Sequence, residues 1–449
     1  MQTLFRRQLS KSVKRTLAFS NNASVYRRKS FGELVRAVTI LKACSYDTVV
    51  DNSLWLMNVG QRLLGPRLFS AVVKPTIYKQ FVGGATLEEM QKSVAELKEA
   101  GVRPMIACSL EEEDEHTAGT SIVYDNNTTT ILKCLDISTE LNCVAPMMQL
   151  KMTGIVPADL VVRLGKAFQA IRAPESLIEA STNALLNGCS LQDDEGLGIN
   201  KGDLPLVQLA LERLRKIGKK SKEVGVKILV DAEYNHMNPG INLLALTLMN
   251  AFNRSAPHVW NTYQCYLKSA ARTLQHDVRI AKNLDVHFGV KLVRGAYIDS
   301  ERRRAEAMKY EDPVCDSYEG TNKNYNKLMC YLIDSVKSAD RSPSVVIASH
   351  NEDSIQIALN RMKDLDIPAD HPCVNFGQLF GMYDQVTYPL AAQGYNVYKS
   401  IPYGSLVDVL PYLARRASEN RAVLSGPRKE RQMIAEEIKN RLRASICLR

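Results

Sequence analysis

Residues 411–420 read PYLARRASEN and place two adjacent arginines in an otherwise apolar segment. At about 100° per residue, four polar side chains fall on one face of a helix: Tyr412, Arg415, Arg416 and Glu419. Two guanidinium groups on one face can bind a carboxylate through bidentate hydrogen bonds, each contributing roughly 1.5–3 kcal/mol when water is excluded. The alternative is a solvated face whose Arg–Glu pair contributes almost nothing. The spacing favours a carboxylate site if other polar residues converge on it.

The elements that would position this face alternate regularly along the chain. The runs that we predict as strands are 77–84, 104–110, 147–153, 226–233, 258–264, 290–296, 344–350, 373–379 and 396–402. Helical patterns such as 87–100 and 354–365 separate them, which predicts βα units and a parallel sheet. About eight units favour a closed (βα)8 barrel of the TIM type over an open sheet, with the first of the nine candidates peripheral. Because no GxGxxG motif follows a strand, a Rossmann fold is disfavoured.

Polar residues collect where these predicted strands end. They are Lys151, Asp231, Glu233, Gln264, Arg294, His350 and Asn351. In a barrel of this type, chemistry takes place at the C-terminal ends of the strands. A barrel that served only as a scaffold would not need polar groups at so many of these ends. We therefore expect an enzyme.

The composition is that of a soluble globular protein, with 45% hydrophobic and 24% charged residues in a chain of 449. No apolar run reaches the roughly 18 residues that a membrane-spanning helix needs. The ten cysteines form no CxxC pair. This distribution is typical of free thiols in a reducing compartment rather than of disulfides or a zinc ribbon.

The net charge of +10 originates mainly at the N-terminus. Residues 1–32 contain eight basic residues and no acidic one; without these eight, 50 bases face 48 acids. A basic, Ser-containing, acid-free segment is typical of a mitochondrial transit peptide, which we predict over residues 1–30. The alternative is a disordered basic arm. Because the remaining chain is nearly neutral, a nucleic-acid partner is not expected.

The rest of the chain divides into a helical arm and the barrel. Apolar periodicity predicts the N-terminal helical arm over residues 31–76 and the barrel over residues 77–442. Residues 185–222 fit the barrel pattern least, and we interpret them as an insertion between two strands. Their DDEGLGINKGD segment lacks the alternate oxygen ligands and the terminal Glu of a calcium loop, so an ordinary loop is favoured.

PYLARRASEN resembles the closing-helix motif Y-L-x-R-R-x-x-E-N of the proline dehydrogenase family. KLVRGAY at 291–297 looks like the family's strand and loop at the flavin. Further segments follow in the family's order: KMT at 151–153, DAE at 231–233, WNTYQCYLK at 260–268, ASHN at 348–351 and FGQLFGM at 376–382. The resemblance runs from about residue 79 to residue 442. It implies a distorted (βα)8 barrel that holds FAD, a mitochondrial address and electron delivery to ubiquinone.

Carried over residue by residue, the resemblance also implies roles within the site. Substrate-binding roles would fall to Arg415, Arg416, Glu419, Tyr412, Ser400, Leu379 and Tyr297. Catalytic roles would fall to Lys151, Asp231 and Lys291. Contacts to FAD or to its neighbours would come from Ala232, Gln264, Arg294, Gly295, Ala296, Ser349, His350 and Asn351. The arginine pair would bind the substrate carboxylate, and Lys151 would add a third positive charge.

The chain departs from the commonest family pattern in two ways. Lys291 stands where bacterial members usually carry Arg, and Arg294 where they carry Lys, so both positive charges are kept. Ser400, twelve residues before Tyr412, stands where proline dehydrogenases usually carry a Tyr facing the substrate ring. The branch that oxidises 4-hydroxyproline is similar in having Ser there. Serine leaves room beside ring atom C4 and provides a donor and an acceptor.

These features predict FAD-dependent oxidation of trans-4-hydroxy-L-proline to 1-pyrroline-3-hydroxy-5-carboxylate, with L-proline dehydrogenation as the alternative main activity. Electrons would pass to ubiquinone. We expect peripheral contact with the matrix side of the mitochondrial inner membrane, for which the basic C-terminal helix at 428–445 is a candidate. The rival enzyme class is a metal-dependent hydrolase using Asp231, Glu233, His236 and His350. That spacing matches no ligand signature and the nearby positive charges would repel a cation, so no metal is expected.

Overall fold

The computed structural model describes residue 19 and residues 23–108, 110, 121–189, 191, 197–337, 341–419 and 428–447. At its centre, eight parallel strands close into a barrel, each strand pairing with the next and the last with the first. The strands are β1 (Arg103–Cys108), β2 (Met147–Leu150), β3 (Lys227–Val230), β4 (Val259–Gln264), β5 (Gly289–Val293), β6 (Ser344–Ala348), β7 (Val374–Leu379) and β8 (Val397–Tyr403). The predicted (βα)8 barrel is confirmed.

Helices connect the strands and surround the barrel. They are Leu87–Glu99, Ser121–Glu140, Ala158–Ala170, Pro174–Asn187, Leu204–Val224, Asn238–Phe252, Ala270–Asn283, Ile298–Met308, Tyr318–Ser335, Glu352–Asp364, Asp384–Ala392 and Leu406–Glu419. Short 3-10 turns occupy Met152–Gly154 and Lys201–Asp203. Within residues 185–222, the long helix Leu204–Val224 leads directly into β3. In the described ranges, no helix is both long enough and apolar enough to cross a bilayer.

Residues 77–84, the first of the nine predicted strands, form no strand of the barrel, and only Gly84 makes an isolated parallel bridge to Tyr403 at the end of β8. Lys74–Tyr78 form a π-helical turn that continues into the short helix Lys79–Phe81. Tyr78 is buried, and its hydroxyl donates a hydrogen bond to the carbonyl of Gly404 at 2.8 Å. The aromatic and β-branched residues of this run therefore pack on one end of the barrel, and this tertiary packing overrides their preference for a strand.

The predicted N-terminal helical arm is present. It comprises the short helix Ala23–Tyr26 and the helices Phe31–Ala43, Asp47–Asp51 and Ser53–Val73. A capping box starts Phe31–Ala43: the Glu33 N–H donates to the Ser30 hydroxyl at 3.3 Å, and Ser30 N–H donates to the Glu33 carboxylate at 2.8 Å. Helix Ser53–Val73 is kinked at Gly65, where φ is 69°. It packs on Leu406–Glu419, which we call the closing helix, through a buried apolar cluster.

Residues 23–30 pack on the folded chain, within the range predicted to be a leader. Tyr26 is buried, and Lys29 forms an ion pair of 2.6 Å with the buried Asp384. The C-terminal helix Arg428–Cys447 holds this segment, since Arg441 donates to the carbonyls of Lys29 and Tyr26 at 2.8 and 2.9 Å. A cut at residue 30 would remove these contacts. The transit peptide stays a prediction, and residues 1–18 lie outside the described part of the chain.

The inside of the barrel changes from apolar to polar along the strands. A buried cluster forms the floor: Met105, Met147, Leu229, Trp260, Val346 and Tyr398. Because side chains alternate along a strand, the residue two positions after a floor residue also faces inward. In five strands that next residue lines a cavity at the C-terminal end: Gln149, Asp231, Thr262, Ala348 and Ser400. The barrel thus presents a polar layer above an apolar floor.

Candidate functional site

The cavity at the mouth of the barrel, which we call the polar pocket, has a volume of about 180 Å³. Most of the residues predicted for the site line it: Asp231, Ala232, Gln264, Lys291, Arg294, Gly295, Ala296, Tyr297, Ser349, His350, Leu379, Ser400 and Tyr412. They come from β3, β4, β5, β6, β7, β8 and the closing helix. The strand ends therefore bring together side chains that lie up to almost 200 residues apart in the sequence.

A charged pair crosses the inside of the polar pocket. The ammonium group of Lys291 donates a short hydrogen bond to the carboxylate of Asp231. The side chains are only 10% and 13% exposed, respectively. Lys291 also lies 3.4 Å from the amide oxygen of Gln149. Poor access to water makes the mutual attraction stronger than at a surface, so the pair holds both groups in a fixed position.

Ser400 is connected to this pair through Gln149. The amide nitrogen of Gln149 donates to the Ser400 hydroxyl at 2.6 Å, while its oxygen faces Lys291. Because Gln149 occupies an acceptor position of this hydroxyl, the Ser400 proton remains able to point at another acceptor. Leu379 and Tyr412 lie beside Ser400 in the wall of the pocket. This wall combines one oriented hydroxyl with an aliphatic and an aromatic side chain.

The turn after β5 has a backbone that only glycine accommodates. Gly295 has a φ of +122°, and a Cβ atom there would lie 1.7 Å from the ring of Tyr266. The preceding Arg294 is fully engaged within the protein: its three nitrogens donate to Asn322, Ser349 and Ser354, each at 2.8 Å. Its guanidinium carbon lies 4.3 Å from the centre of the Tyr325 ring. Arg294 therefore fixes the turn and Ser349 rather than pointing freely into the pocket.

His350 is a buried neutral side chain. Burial, together with the charges of Lys399 and Arg294, lowers the pKa of His350 from 6.5 to about 3. Its Nε2 atom accepts a hydrogen bond of 3.0 Å from the N–H of Leu379, which requires the uncharged ring with its proton on Nδ1. His350 thus supports the backbone of the pocket wall. A proton on Nε2 would break this contact.

Lys151 and Asn351 lie outside the lining of the polar pocket. Asn351 caps the helix Glu352–Asp364, since its side chain accepts from the Ser354 N–H at 2.9 Å. Lys151 is buried near Glu233. Burial raises the pKa of the Glu233 carboxyl, although the Lys151 charge and two hydrogen bonds from Thr153 oppose this shift. The Glu233 carbonyl accepts from Gln264 at 3.0 Å, which holds Gln264 at the rim.

The predicted carboxylate-binding residues belong to the closing helix. Tyr412 is buried and lines the polar pocket. The backbone of Arg415, Arg416 and Glu419 continues the same helix. Their side chains lie outside the described part of the structure, so their roles stay predictions.

A family model described as proline dehydrogenase matches residues 90–429 of this chain. The chain belongs to the proline dehydrogenase family. Hydroxyproline dehydrogenase of Bos taurus is 40% identical over 436 residues, covering 95% of this chain and 93% of its own length. Hydroxyproline dehydrogenase of Homo sapiens is 38% identical and covers 95% and 94%. Mitochondrial proline dehydrogenase 1 of Homo sapiens is 31% identical and covers 95% and 90%.

One solved structure resembles the fold of this chain. It is proline utilization A from Bdellovibrio bacteriovorus inactivated by N-propargylglycine, with a TM-score of 0.63 at 16% identity. The likeness covers 97% of this chain and 42% of that one, so this chain spans less than half the length of that protein. At such low identity the comparison shows the shared barrel fold alone.

The polar pocket of this family member fits a flavin. The amide nitrogen of Gln378 is buried in its wall and has no hydrogen-bond partner among the described residues. An unsatisfied buried donor costs about 1–3 kcal/mol unless a ligand accepts its hydrogen bond. Gly295 and Gly377 expose backbone in the same lining, which lets a planar ring approach closely. The ring system of FAD offers oxygen and nitrogen acceptors for such donors.

A metal centre has no comparable basis in the part of the chain that the structure describes. There, no group of three or more His, Cys, Asp or Glu side chains is placed to hold a metal ion. Asp231 is paired with Lys291 instead, and Glu233 accepts hydrogen bonds from Thr153. These partners occupy the carboxylates that the rival hydrolase would need.

Sequence reasoning missed three polar residues that shape the site: Gln149, Gln378 and Lys399. Lys399 is fully buried and donates to the carbonyl of Leu379 at 3.0 Å, with Asp384 at 3.1 Å as its ion partner. Burial would raise the pKa of Asp384, but the charges of Lys29 and Lys399 lower it to about 2. All three missed residues lie inside strands rather than at their ends. A polar residue two positions from a large apolar one in the same strand was the available signal for Gln149.

Proposed function

We propose that this protein is a mitochondrial FAD-dependent hydroxyproline dehydrogenase that passes electrons to ubiquinone. The substrate would be trans-4-hydroxy-L-proline and the product 1-pyrroline-3-hydroxy-5-carboxylate. The observation that carries this proposal is the Gln149–Ser400 hydrogen bond in the wall of the polar pocket, where a substrate ring would lie. Membership of the proline dehydrogenase family and the higher identity to relatives named hydroxyproline dehydrogenase support the same substrate class.

The pocket favours a hydroxylated ring at Ser400. Gln149 holds the hydroxyl group of Ser400 as an acceptor, so the Ser400 proton can be donated to the substrate oxygen at C4. A substrate hydroxyl facing a filled apolar wall would lose hydration at a cost of about 1–3 kcal/mol. Ser400 supplies the missing partner and the room for this group. A ring without the hydroxyl would leave the Ser400 hydroxyl, held by Gln149, without a substrate partner. A site built to hydrogen-bond a substrate hydroxyl discriminates against a substrate that lacks it.

The carboxylate end of the substrate is assigned to the closing helix. In this proposal, Arg415 and Arg416 bind the carboxylate and Glu419 orients one guanidinium group. Tyr412, buried one helical turn earlier, covers the substrate ring. Leu379 and Tyr297 complete the walls. Bidentate contacts at one end and the Ser400 contact at the other would fix the ring in one orientation.

The oxidation removes a hydride from C5 and the proton on the ring nitrogen. FAD, when bound, supplies the two-electron acceptor for the hydride. Lys291, held in a fixed position by Asp231, would present its ammonium group in the lining of the pocket. Gln264, Gly295 and Gln378 would contact the cofactor, while Arg294, Ser349 and His350 hold the backbone around it. Lys151 adds positive charge from behind the pocket.

L-Proline is the second candidate substrate, since a pocket with room for the hydroxyl also admits the smaller ring. The relatives named proline dehydrogenase, at 31% identity for that of Homo sapiens, favour this reading at family level. We assign proline the lower efficiency because its ring offers nothing to Ser400. The relatives named mitochondrial and the acid-free N-terminus support a mitochondrial location on the matrix side of the inner membrane.

The proposal is tested by anaerobic titration of the purified, FAD-loaded protein. Trans-4-hydroxy-L-proline should bleach the absorbance of the oxidised flavin, and a redox dye should restore it. The product should be identified by mass as the substrate less two hydrogens. A flavin that stays oxidised at saturating hydroxyproline and at saturating proline would rule out the proposed function. Reduction by proline alone would support the second candidate instead.

A further inference from the structure

A second cavity of about 310 Å³ lies between the helical arm and the closing helix. We call it the arm cavity. Its lining is almost entirely apolar and includes Ile40, Ala43, Met57, Phe69 and Leu410. Leu379, Ser400 and Tyr412 line both this cavity and the polar pocket. The two cavities are therefore separated by one layer of side chains, beside the proposed substrate ring.

The arm cavity continues onto an exposed apolar surface of the arm. Val49, Leu56 and Ile77 line the cavity and are also 39%, 44% and 37% exposed. Further large apolar side chains of helix Ser53–Val73 face outward: Leu54, Trp55, Leu63, Leu64, Leu68 and Val72. Leu63 is 79% exposed and Trp55 is 62% exposed. So many exposed large apolar side chains along one 21-residue helix exceed the scattered exposure that is normal for a folded protein, and they indicate a surface that is covered in use.

The charges around this apolar surface favour a bilayer over a second copy of the chain as its partner. Between Asp51 and Glu88 the chain contains no acidic residue, but it carries four basic residues, Arg62, Arg67, Lys74 and Lys79. All four are exposed, Arg62 and Arg67 on the arm and Lys74 and Lys79 in the turn and short helix that follow it. A second copy of the chain would bring these like charges together, which opposes self-association. A bilayer with anionic headgroups complements both the bases and the apolar side chains, and Trp is a residue that favours the membrane interface.

We propose that the arm lies on a bilayer and that a lipid-soluble quinone reaches the redox site through the arm cavity. The quinone takes up the two electrons and two protons that leave the imino acid and departs as the quinol. This inference rests on the proposed function, which supplies the reducing equivalents. The apolar lining suits a quinone ring and isoprenoid tail, whereas a charged soluble acceptor would lose its hydration there. The C-terminal helix packs against Phe31–Ala43, and its role as a second membrane contact stays a prediction.

The passage is tested by filling the arm cavity. Ala43 is the last residue of the 13-residue helix Phe31–Ala43 and lines the cavity. Ala43→Phe should lower kcat/KM for decyl-ubiquinone about tenfold or more. The same variant should reduce a soluble phenazine dye at the wild-type rate. Ala170→Phe is the matched control, because Ala170 is the exposed last residue of another 13-residue helix, Ala158–Ala170. An Ala43→Phe enzyme with unchanged quinone kinetics would overturn the passage.

The membrane contact has an intrinsic reporter. The chain contains two tryptophans, of which Trp260 is completely buried and Trp55 is exposed. Vesicles of phosphatidylcholine and cardiolipin should shift the fluorescence to the blue, and brominated lipids should quench it. Leu63→Glu should abolish both effects, whereas Ile122→Glu, at a site 69% exposed on helix Ser121–Glu140, should preserve them. An unshifted spectrum, or a shift that depends on protein concentration without vesicles, would contradict the bilayer as occupant.

Dye-linked activity keeps the two possible failures apart. Loss of hydroxyproline oxidation with the dye in the wild type counts against the proposed function. Normal dye activity, together with normal quinone kinetics in Ala43→Phe, counts against the passage alone. The fluorescence measurement is made on the FAD-loaded protein and does not depend on turnover.

Discussion

The polar pocket and the arm cavity share one wall but are built by different means. The polar pocket arises from strand ends, where alternation places Gln149, Asp231 and Ser400 above an apolar floor. The arm cavity arises from helices outside the barrel that pack against the closing helix. The first holds charges and hydrogen bonds in fixed positions, and the second offers apolar surface. We infer that the barrel defines the chemistry, while the arm defines which acceptor can approach.

The strongest test of this division breaks the polar pocket alone. Gly295→Ala forces a side chain into the ring of Tyr266 at a φ of +122°. Strain and overpacking together should destabilise the protein by about 4 kcal/mol, and the variant should retain little FAD. Chemical unfolding and flavin content after purification measure the two effects.

A second glycine with positive φ separates the effect of backbone strain from that of steric overlap. Gly394 also has a positive φ, +83°, but a Cβ there would meet no atom within 4 Å. Gly394→Ala should therefore lower stability by about 1 kcal/mol and keep its flavin. Equal effects of the two substitutions would mean that the close approach of Gly295 to Tyr266 is unimportant.

The charged pair gives the next largest effect. Asp231→Asn leaves Lys291 with its charge poorly solvated, which should destabilise the fold by about 3 kcal/mol and weaken substrate turnover. Lys291→Met in the same chain should recover part of the stability, because the uncompensated charge is then gone. A double-mutant cycle by chemical unfolding measures this coupling. Additive effects of the two changes would show that the pair contributes nothing as a pair.

A decrease in pH should lower the free energy of unfolding through a residue of the polar pocket and not through one of the arm cavity. The pKa of His350 is about 3 in the folded state and 6.5 in its ordinary state, so the unfolded chain binds the proton more readily. Stability is then full above the ordinary pKa and falls as the pH decreases toward the folded value. The loss at about pH 5 should be about 2 kcal/mol relative to about pH 7.5. In the arm cavity, burial raises the pKa of Cys44 to about 11, outside this range.

His350→Gln tests the source of this pH dependence. The variant should unfold in denaturant with a weaker dependence on pH than the wild type over the same interval. Other buried groups, such as His258, whose pKa burial lowers to about 4, remain in both proteins and cancel in the comparison. If the free energy of unfolding depended on pH equally in the two proteins, His350 would not be the source of the pH dependence.

The smallest predicted effect lies in the wall between the cavities. Gln149→Leu removes the donor that orients the Ser400 hydroxyl. The hydrogen bond contributes about 1 kcal/mol, so kcat/KM for hydroxyproline should fall by about fivefold. The value for proline should change less, because proline has no hydroxyl for Ser400. Steady-state kinetics with a redox dye compares the two substrates, and equal losses would deny Gln149 a role in selectivity.

The barrel and much of its mouth could be predicted because strands have a local signature. Eight predicted apolar runs lie within a few residues of the observed strands, and four of the seven polar residues predicted at their ends, Asp231, Gln264, Arg294 and His350, line the polar pocket. Residues 77–84 were wrong as a strand candidate because packing of Tyr78 on the barrel, not composition, determines their helical form. Local preference gives way where tertiary contacts are extensive.

The residues that prediction missed depend on contacts between distant elements. Gln149 meets Ser400 across 251 residues, and Lys399 meets Asp384 and the Leu379 carbonyl inside the wall. The arm cavity likewise exists only once the arm is docked on the closing helix. The partners of these side chains and the arm cavity follow from three-dimensional packing, for which a single sequence holds no periodic signal.

The most direct test of the account is the substrate preference of the wild type and of Ser400→Tyr. Both FAD-loaded proteins are assayed with trans-4-hydroxy-L-proline and L-proline, using a redox dye so that the arm cavity plays no part. We expect the wild type to have the higher kcat/KM for hydroxyproline, and Ser400→Tyr to prefer proline because the tyrosine ring fills the space beside C4. A wild type that prefers proline, or a preference that Ser400→Tyr leaves unchanged, would contradict the account.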